Sequence, residues 1–219
     1  MPNVSELFSK LKNEEIKYFL DKSKAIIEKL NKGDEIFRQE QEVKYLFILK
    51  KGSVVVENID VNGKRSIVNI FNKEGTVFGE VYLYIDKNSY DYNCFANEST
   101  EIIKIPKEAF FLSENSDDIS KKILNNMLII LSNKAYYLNQ KLLIFNSISL
   151  RQKISKYLLQ NSNKDNFFKM VLKREELAHF LGATRPSVSR ELMNMQKDGL
   201  IEIDRDIIKF DRKELEKFL

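Results

Sequence analysis

Cysteine occurs once in the 219 residues, at Cys94. One thiol excludes an intramolecular disulfide framework and a four-cysteine iron–sulfur or zinc site within one chain. Histidine also occurs once, at His179, about 85 positions away. No Ser-His-Asp or phosphate-loop pattern accompanies either residue. An enzyme needs a nucleophile–base pair or a metal cluster, so neither catalysis nor a metal site is expected. No run approaches the ~18–20 consecutive apolar residues of a membrane span. The start, Met1 to Glu6, lacks a basic-then-apolar signal pattern. The expectation is a cytoplasmic protein with no membrane partner.

Charge of one sign is scarce over most of the chain. Residues 1–146 carry 21 Lys+Arg and 21 Asp+Glu, whereas residues 147–219 carry 15 and 11. The net +4 therefore sits in the last third, which suits a phosphate-bearing partner. An ordinary solvated surface gives the same count, so the charge alone decides nothing.

Glycine is sparse and unevenly placed. Five of the seven, Gly33, Gly52, Gly63, Gly75 and Gly79, punctuate short runs rich in β-branched and aromatic residues. These runs include Tyr45–Leu49, Val54–Val56, Ser66–Phe71 and Thr76–Phe78. Tyr90–Ala96 and Glu101–Ile105 would complete the set. Short strands at regular spacing predict a β-sandwich or barrel. Asn62-Gly63 lies between two runs and is a hairpin turn signal. The first thirty residues look helical, with Leu7, Leu11, Ile16, Phe19 and Leu20 as the apolar positions.

From about Ser116 to Phe145 both Gly and Pro are missing. Leu124, Leu128, Leu131, Ala135, Leu138, Leu142 and Phe145 follow a 4, 3, 4, 3, 4, 3 spacing, a heptad seam. Ile123, Met127, Ile130 and Tyr137 form a second apolar row. One row can face a partner helix while the other faces the barrel. A helix buried in a monomeric core is the alternative. Some 30 residues span about 45 Å, more than a small domain's own core usually covers, which favours self-pairing.

Residues 173–201 have the pattern of two short helices joined at Gly182. Leu177, Ala178 and Leu181 face inward from the first, and Val188, Leu192 and Met195 from the second. Gly182 supplies a positive φ to end one helix. Thr184 is a good N-cap for the next, and Pro186 sits in its first turn, where a missing N–H costs little. This is a helix-turn-helix, whose second helix enters the major groove by its N-terminal residues. Here these are Arg185, Ser187, Ser189 and Arg190. Arginine can bind guanine bidentately, and serine can bond a base edge or a phosphate. Gly199–Ile203 and Ile207–Phe210, around Asp204-Arg205-Asp206, predict a two-stranded wing carrying Lys209. A short strand is expected over Phe168–Leu172.

With these residues in place, the sequence resembles the Crp/Fnr superfamily of bacterial regulators over nearly its whole length. The glycines through Gly79-Glu80 match that family's cyclic-nucleotide-binding-type barrel. Residues from about Ser116 to Phe145 match its dimerisation helix, and Arg185-Pro-Ser-Val-Ser-Arg-Glu-Leu192 its recognition helix. The resemblance implies an α+β protein. A jelly-roll effector domain would span residues 1–115, a dimerisation helix 116–146 and a winged helix-turn-helix 147–219. It implies a homodimer on double-stranded DNA with a near-palindromic operator, working with RNA polymerase. A hinge would fall near Phe145–Leu150, and Arg190 matches the family's base-reading arginine.

The same resemblance makes cyclic AMP an unsuitable effector. The cyclic-AMP-binding members carry an Arg-Ser pair for the phosphate, and the matching positions here are Tyr90 and Asp91. Two like charges about 4 Å apart cost ~4 kcal/mol at an effective dielectric of 20. Leu138 and Asn139 stand near the positions of two nucleotide-contacting hydroxyl residues. The implied effector pocket comprises Gly79, Glu80, Tyr82, Tyr90, Asp91, Tyr92, Leu138 and Asn139. Glu80 could bond a ribose-like hydroxyl or cap a local loop. The cofactor stays open: haem held by Cys94, Met127 or another non-histidine group in a nitrosative-stress or redox sensor, an uncharged or aromatic ligand, or none. A regulatory module without a DNA-binding role is the rival of another class, and the winged helix argues against it.

Overall fold

The computed structural model describes residues 5–60, 63, 65–111, 117–162, 167–169, 174–205 and 207–219, with backbone only at 169, 176 and 179. The chain forms two compact units, Met1–Asn133 and Lys134–Leu219.

The first unit opens with a single 3-10 turn, Glu6–Phe8, capped by Ser5, and helix α1, Asn13–Lys22. The helical expectation for the first thirty residues fails after this point. Lys24 adopts a left-handed φ of 56°, and Ile26–Leu30 form strand β1. Adjacent β-branched residues suit a pleated surface, and pairing with β8 (Thr100–Pro106), from Ile26 opposite Lys104 to Leu30 opposite Thr100, overrides local helical tendency.

The intervening strands are β2 (Glu35–Phe37), β3 (Tyr45–Lys51), β4 (Val54–Ile59), β5 (Arg65–Phe71), β6 (Val77–Phe78) and β7 (Asn93–Ala96). They build two antiparallel four-stranded sheets, ordered β1-β8-β3-β6 and β2-β7-β4-β5. This is the jelly-roll arrangement, and its core includes Phe37, Phe47, Leu49, Val54, Phe78, Cys94 and Ile102. The β4–β5 hairpin forms around Gly63 at φ 77°; Asn62 of the predicted turn lies outside the described residues. The strand expected over Tyr90–Ala96 is shorter: a bend at Asp91 and Tyr92 separates β7 from Tyr90, whose backbone pairs instead with Glu40 and Gln41.

Helix α2, Asp118–Phe145, runs from the first unit into the second; its expected start at Ser116 lies outside the described residues. In the first unit Ile123, Met127 and Ile130 are buried among Leu7, Ile16, Phe19 and Ile105. Along the predicted seam Leu128, Leu138 and Leu142 remain 55%, 57% and 58% exposed. Ala135 is exposed, and Leu124 and Leu131 are half-buried.

The second unit adds α3 (Leu150–Asn161), β9 (Phe167–Lys169), α4 (Arg174–Leu181), α5 (Arg185–Lys197), β10 (Ile201–Asp204), β11 (Ile207–Phe210) and α6 (Arg212–Glu216). Ser149 starts α3 through a reciprocal capping box with Gln152. The predicted two-stranded wing belongs to a three-stranded sheet ordered β10-β11-β9. Phe168 opposite Ile208 supplies the third strand, and a buried apolar pair draws a distant segment onto the hairpin. Asp206 of the wing turn and residues 170–172 of the expected earlier strand lie outside the described residues.

Candidate nucleic-acid interface

The hairpin of α4 and α5 is held by its inner face. Leu177, Ala178, Leu181, Val188, Leu192 and Met195 are all buried with Ile154, Leu158 and Ile208. Gly182 joins the helices at φ 63°. A Cβ there would also lie 2.7 Å from Cε1 of Phe145, so the position needs glycine for two reasons. Phe145, at the end of α2, thus packs into a notch that only a missing side chain provides. Thr184 caps α5: its Oγ1 accepts from Ser187 N at 3.3 Å and lies 2.8 Å from Ser187 Oγ.

The core fixes one face of α5 and frees the other. Thr184, Arg185, Ser187 and Arg190 are exposed, while Ser189 is half-buried. Arg185 and Arg190 are five residues apart, about 140° around the axis. One of the two therefore faces a docked surface more directly than the other. Lys209 is exposed on β11, opposite Glu202 of β10. The unit brings together two arginines, hydroxyl groups at a helix N-terminus and a basic wing residue. Such a set can bind phosphates and read base edges.

Sequence reasoning missed two anchors of this hairpin. One is Phe145 against Gly182. The other is Arg151 on α3, paired with Glu191 of α5 and with Asp198, the C-cap of that helix. The seven-residue spacing of the two carboxylates places them on one helix face, but nothing local points to Arg151 as their partner. His179 lies on α4 with only its backbone described.

In the barrel, Gly79 at φ 80° precedes a 3-10 turn, Glu80–Leu83. Glu80 is 3% exposed. Tyr90 is 2% exposed and stacks on Phe37 with ring centroids 4.1 Å apart. Its hydroxyl donates to Tyr45 O at 3.2 Å, and burial pushes its pKa above the ordinary tyrosine value. Tyr82 packs edge-on against Tyr90 at 5.1 Å. Tyr82 Oη also accepts from Asp91 N at 3.2 Å. Asp91 points outward and pairs with Lys87. Tyr92 packs half-buried on the same core. Tyr82, Tyr90, Asp91 and Tyr92 therefore sit together, with Tyr90 serving the core. Leu138 and Asn139 are exposed positions on the part of α2 that belongs to the second unit.

Cys94 is fully buried, and burial pushes its thiol well above the ordinary cysteine pKa. Among the described residues no cluster of three or more His, Cys, Asp or Glu side chains could hold a metal ion, and no helix is long and apolar enough to cross a membrane.

Two family models match the chain, the cyclic nucleotide-binding domain over residues 27–112 and the Crp-like helix-turn-helix domain over residues 152–218. Electron transport regulator A of Shewanella oneidensis is 25% identical over 207 residues, which cover 90% of this chain and 80% of that protein. The HTH-type transcriptional regulator ArcR of Staphylococcus epidermidis is 22% identical over 187 residues, covering 82% and 79%. The crystal structure of the catabolite activator protein of Thermus thermophilus matches with a TM-score of 0.54 at 20% identity over 98% of each chain. That structural likeness shows the fold.

Proposed function

The chain belongs to the Crp/Fnr superfamily of bacterial transcription regulators, and from that premise we propose that it is a homodimer that reads a near-palindromic operator through α5. The carrying observation is that Arg190 and Ser187 are exposed on α5 away from its buried Val188, Leu192 and Met195, with Arg185 exposed in the first turn. Arg190 binds a guanine in each half-site, since a bidentate arginine–guanine contact is the commonest specific one. Arg185, at the helix start, contacts a base or a flanking phosphate. Ser187 faces the groove while its hydroxyl also joins the Thr184 cap, Ser189 approaches the backbone, and Lys209 holds a phosphate from the wing.

Dimerisation uses the α2 seam: Leu124, Leu128, Leu131, Ala135, Leu138, Leu142 and Phe145. Leu128, Leu138 and Leu142 are more than half exposed on a helix that buries Ile123, Met127 and Ile130, as a paired helix requires. The protein works in the cytoplasm with RNA polymerase, as a regulator and not an enzyme.

The barrel answers to an effector other than cyclic AMP. Tyr90 fills core space where a phosphate-holding group would stand, and Asp91, at the other matched position, points outward to Lys87 and offers no cation. The haem reading loses support from the two ligands named for it, because Cys94 and Met127 are both packed in apolar cores.

Selection of bound duplexes from a randomised library, with sedimentation of the same sample, tests the proposal. The expected product is two inverted half-sites about 10 base pairs apart, centre to centre, bound by a dimer. Unenriched sequences bound equally well would overturn it.

A further inference from the structure

Arg151 is the second residue of α3, outside the helix-turn-helix itself. Its Nε donates to Glu191 Oε1 at 2.6 Å, and its Nη1 lies 2.7 Å from Asp198 Oδ2. The guanidinium also stands 5.7 Å from the centroid of the Phe218 ring. The Arg151 and Glu191 side chains are only 26% and 21% exposed, so this contact is partly withdrawn from water; Asp198, at 49%, sits at the rim. Glu191 binding also holds Arg151 further toward its charged form.

Glu191 and Asp198 are two turns apart on one face of the recognition helix, about 20° from alignment. Glu191 is the immediate neighbour of Arg190. A planar guanidinium presents several donors in a fixed fork, which a lysine ammonium cannot reproduce. One cation therefore grips α5 at its middle and at its C-terminal end. Two attachment points along a rod limit both its roll and its tilt, whereas one point limits neither. The buried row Val188, Leu192 and Met195 sets how deep α5 sits. The polar clamp sets which way the adjoining Arg190 points.

We infer that Arg151 is a positioning residue for base reading: it fixes the orientation of α5 and so sets sequence specificity without touching DNA. The inference rests on the proposed operator reading. Three physical roles make different demands. A half-exposed ion pair with no further role contributes little stability and leaves specificity alone. A charge effect would weaken all DNA alike when Arg151 is lost, and strengthen all DNA alike when the two carboxylates are neutralised. A positioning role makes both changes harm the preference for the operator.

The test uses the full chain as wild type, R151A, R151K and the double variant E191Q/D198N. Binding to the selected operator and to an unrelated duplex of equal length is measured at two salt concentrations, beside a thermal melt of each protein. R151A should lower the ratio of specific to non-specific affinity by about tenfold, the scale of one lost base-pair readout. E191Q/D198N should lower the same ratio although it makes the protein more positive, and R151K should restore it only in part. An unchanged ratio in R151A with an intact melt overturns the inference. So does a double variant that binds both duplexes more tightly at an unchanged ratio. A salt slope reduced by about one in R151A on both duplexes identifies a direct phosphate contact and also overturns it. If R151A does not fold, R151K and the double variant decide by the same ratio. A wild-type ratio of one would instead remove the operator reading on which the inference stands.

Discussion

In the C-terminal unit the polar groups of interest point out of the core, whereas in the N-terminal barrel Glu80 and Tyr90 point in. Arg185, Ser187, Arg190 and Lys209 are exposed, while Glu80 and Tyr90 are 3% and 2% exposed. A helix separates its faces by rotation, so α5 can change its outer residues without disturbing Val188, Leu192 and Met195. A barrel pocket shares its lining with the barrel core. One aromatic residue at a lining position can turn a binding surface into packing, the role the proposed reading gives Tyr90, which stacks on Phe37. On the proposed reading, the DNA-facing chemistry is therefore separable from the fold, whereas the effector chemistry is not.

The seam of α2 offers the strongest contrast with both regions, since it is apolar and exposed. Leu138 and Leu142 touch little of their own chain, whereas Leu131 packs partly on the core of the first unit. Leu138→Asp with Leu142→Asp should therefore give monomers without unfolding them, because a carboxylate buried without a partner is costly. Operator affinity should fall about 10²–10⁴-fold as bivalent binding is lost. Sedimentation and a titration on operator DNA measure both effects; a dimeric double variant would place the interface elsewhere.

The two regions should also separate under smaller changes. Gly182→Ala imposes a Cβ on a left-handed backbone and on the Phe145 ring. It should cost ~1–3 kcal/mol of stability in the C-terminal unit, read by urea unfolding. Tyr90→Phe removes one buried hydrogen bond from the barrel, at a cost of about 1 kcal/mol, and should leave operator affinity untouched in the same titration. Calorimetry with cyclic AMP should show no binding at physiological concentrations; micromolar affinity would mean that Tyr90 and Asp91 do not stand at the phosphate position. Lys209→Ala should reduce all DNA binding alike and lower the salt slope by about one.

Much of this architecture was legible where neighbours in sequence are neighbours in space. Gly182, Thr184 and Pro186 define a local cap and turn, so the hairpin could be read with its inward and outward faces. The second apolar row on α2 was legible for Ile123, Met127 and Ile130, which are buried, but not for Tyr137, which is 53% exposed. Legibility stopped where distant segments decide. Ile26–Leu30 looks helical until β8 pairs with it. The third wing strand depends on Phe168 finding Ile208. Arg151 lies 40 residues from Glu191, and no local pattern joins them. The inward turn of Tyr90 depends on Phe37 and on the Tyr45 carbonyl.

The reading of bases by α5 is tested most directly by Arg190→Ala on a randomised operator library at two salt concentrations. The account predicts a loss of ~1–3 kcal/mol per half-site, with relaxed preference at one base pair of each half-site and the other positions kept. An Arg190→Ala protein that selects the wild-type sequence with merely lower affinity would make Arg190 a phosphate contact and contradict the account.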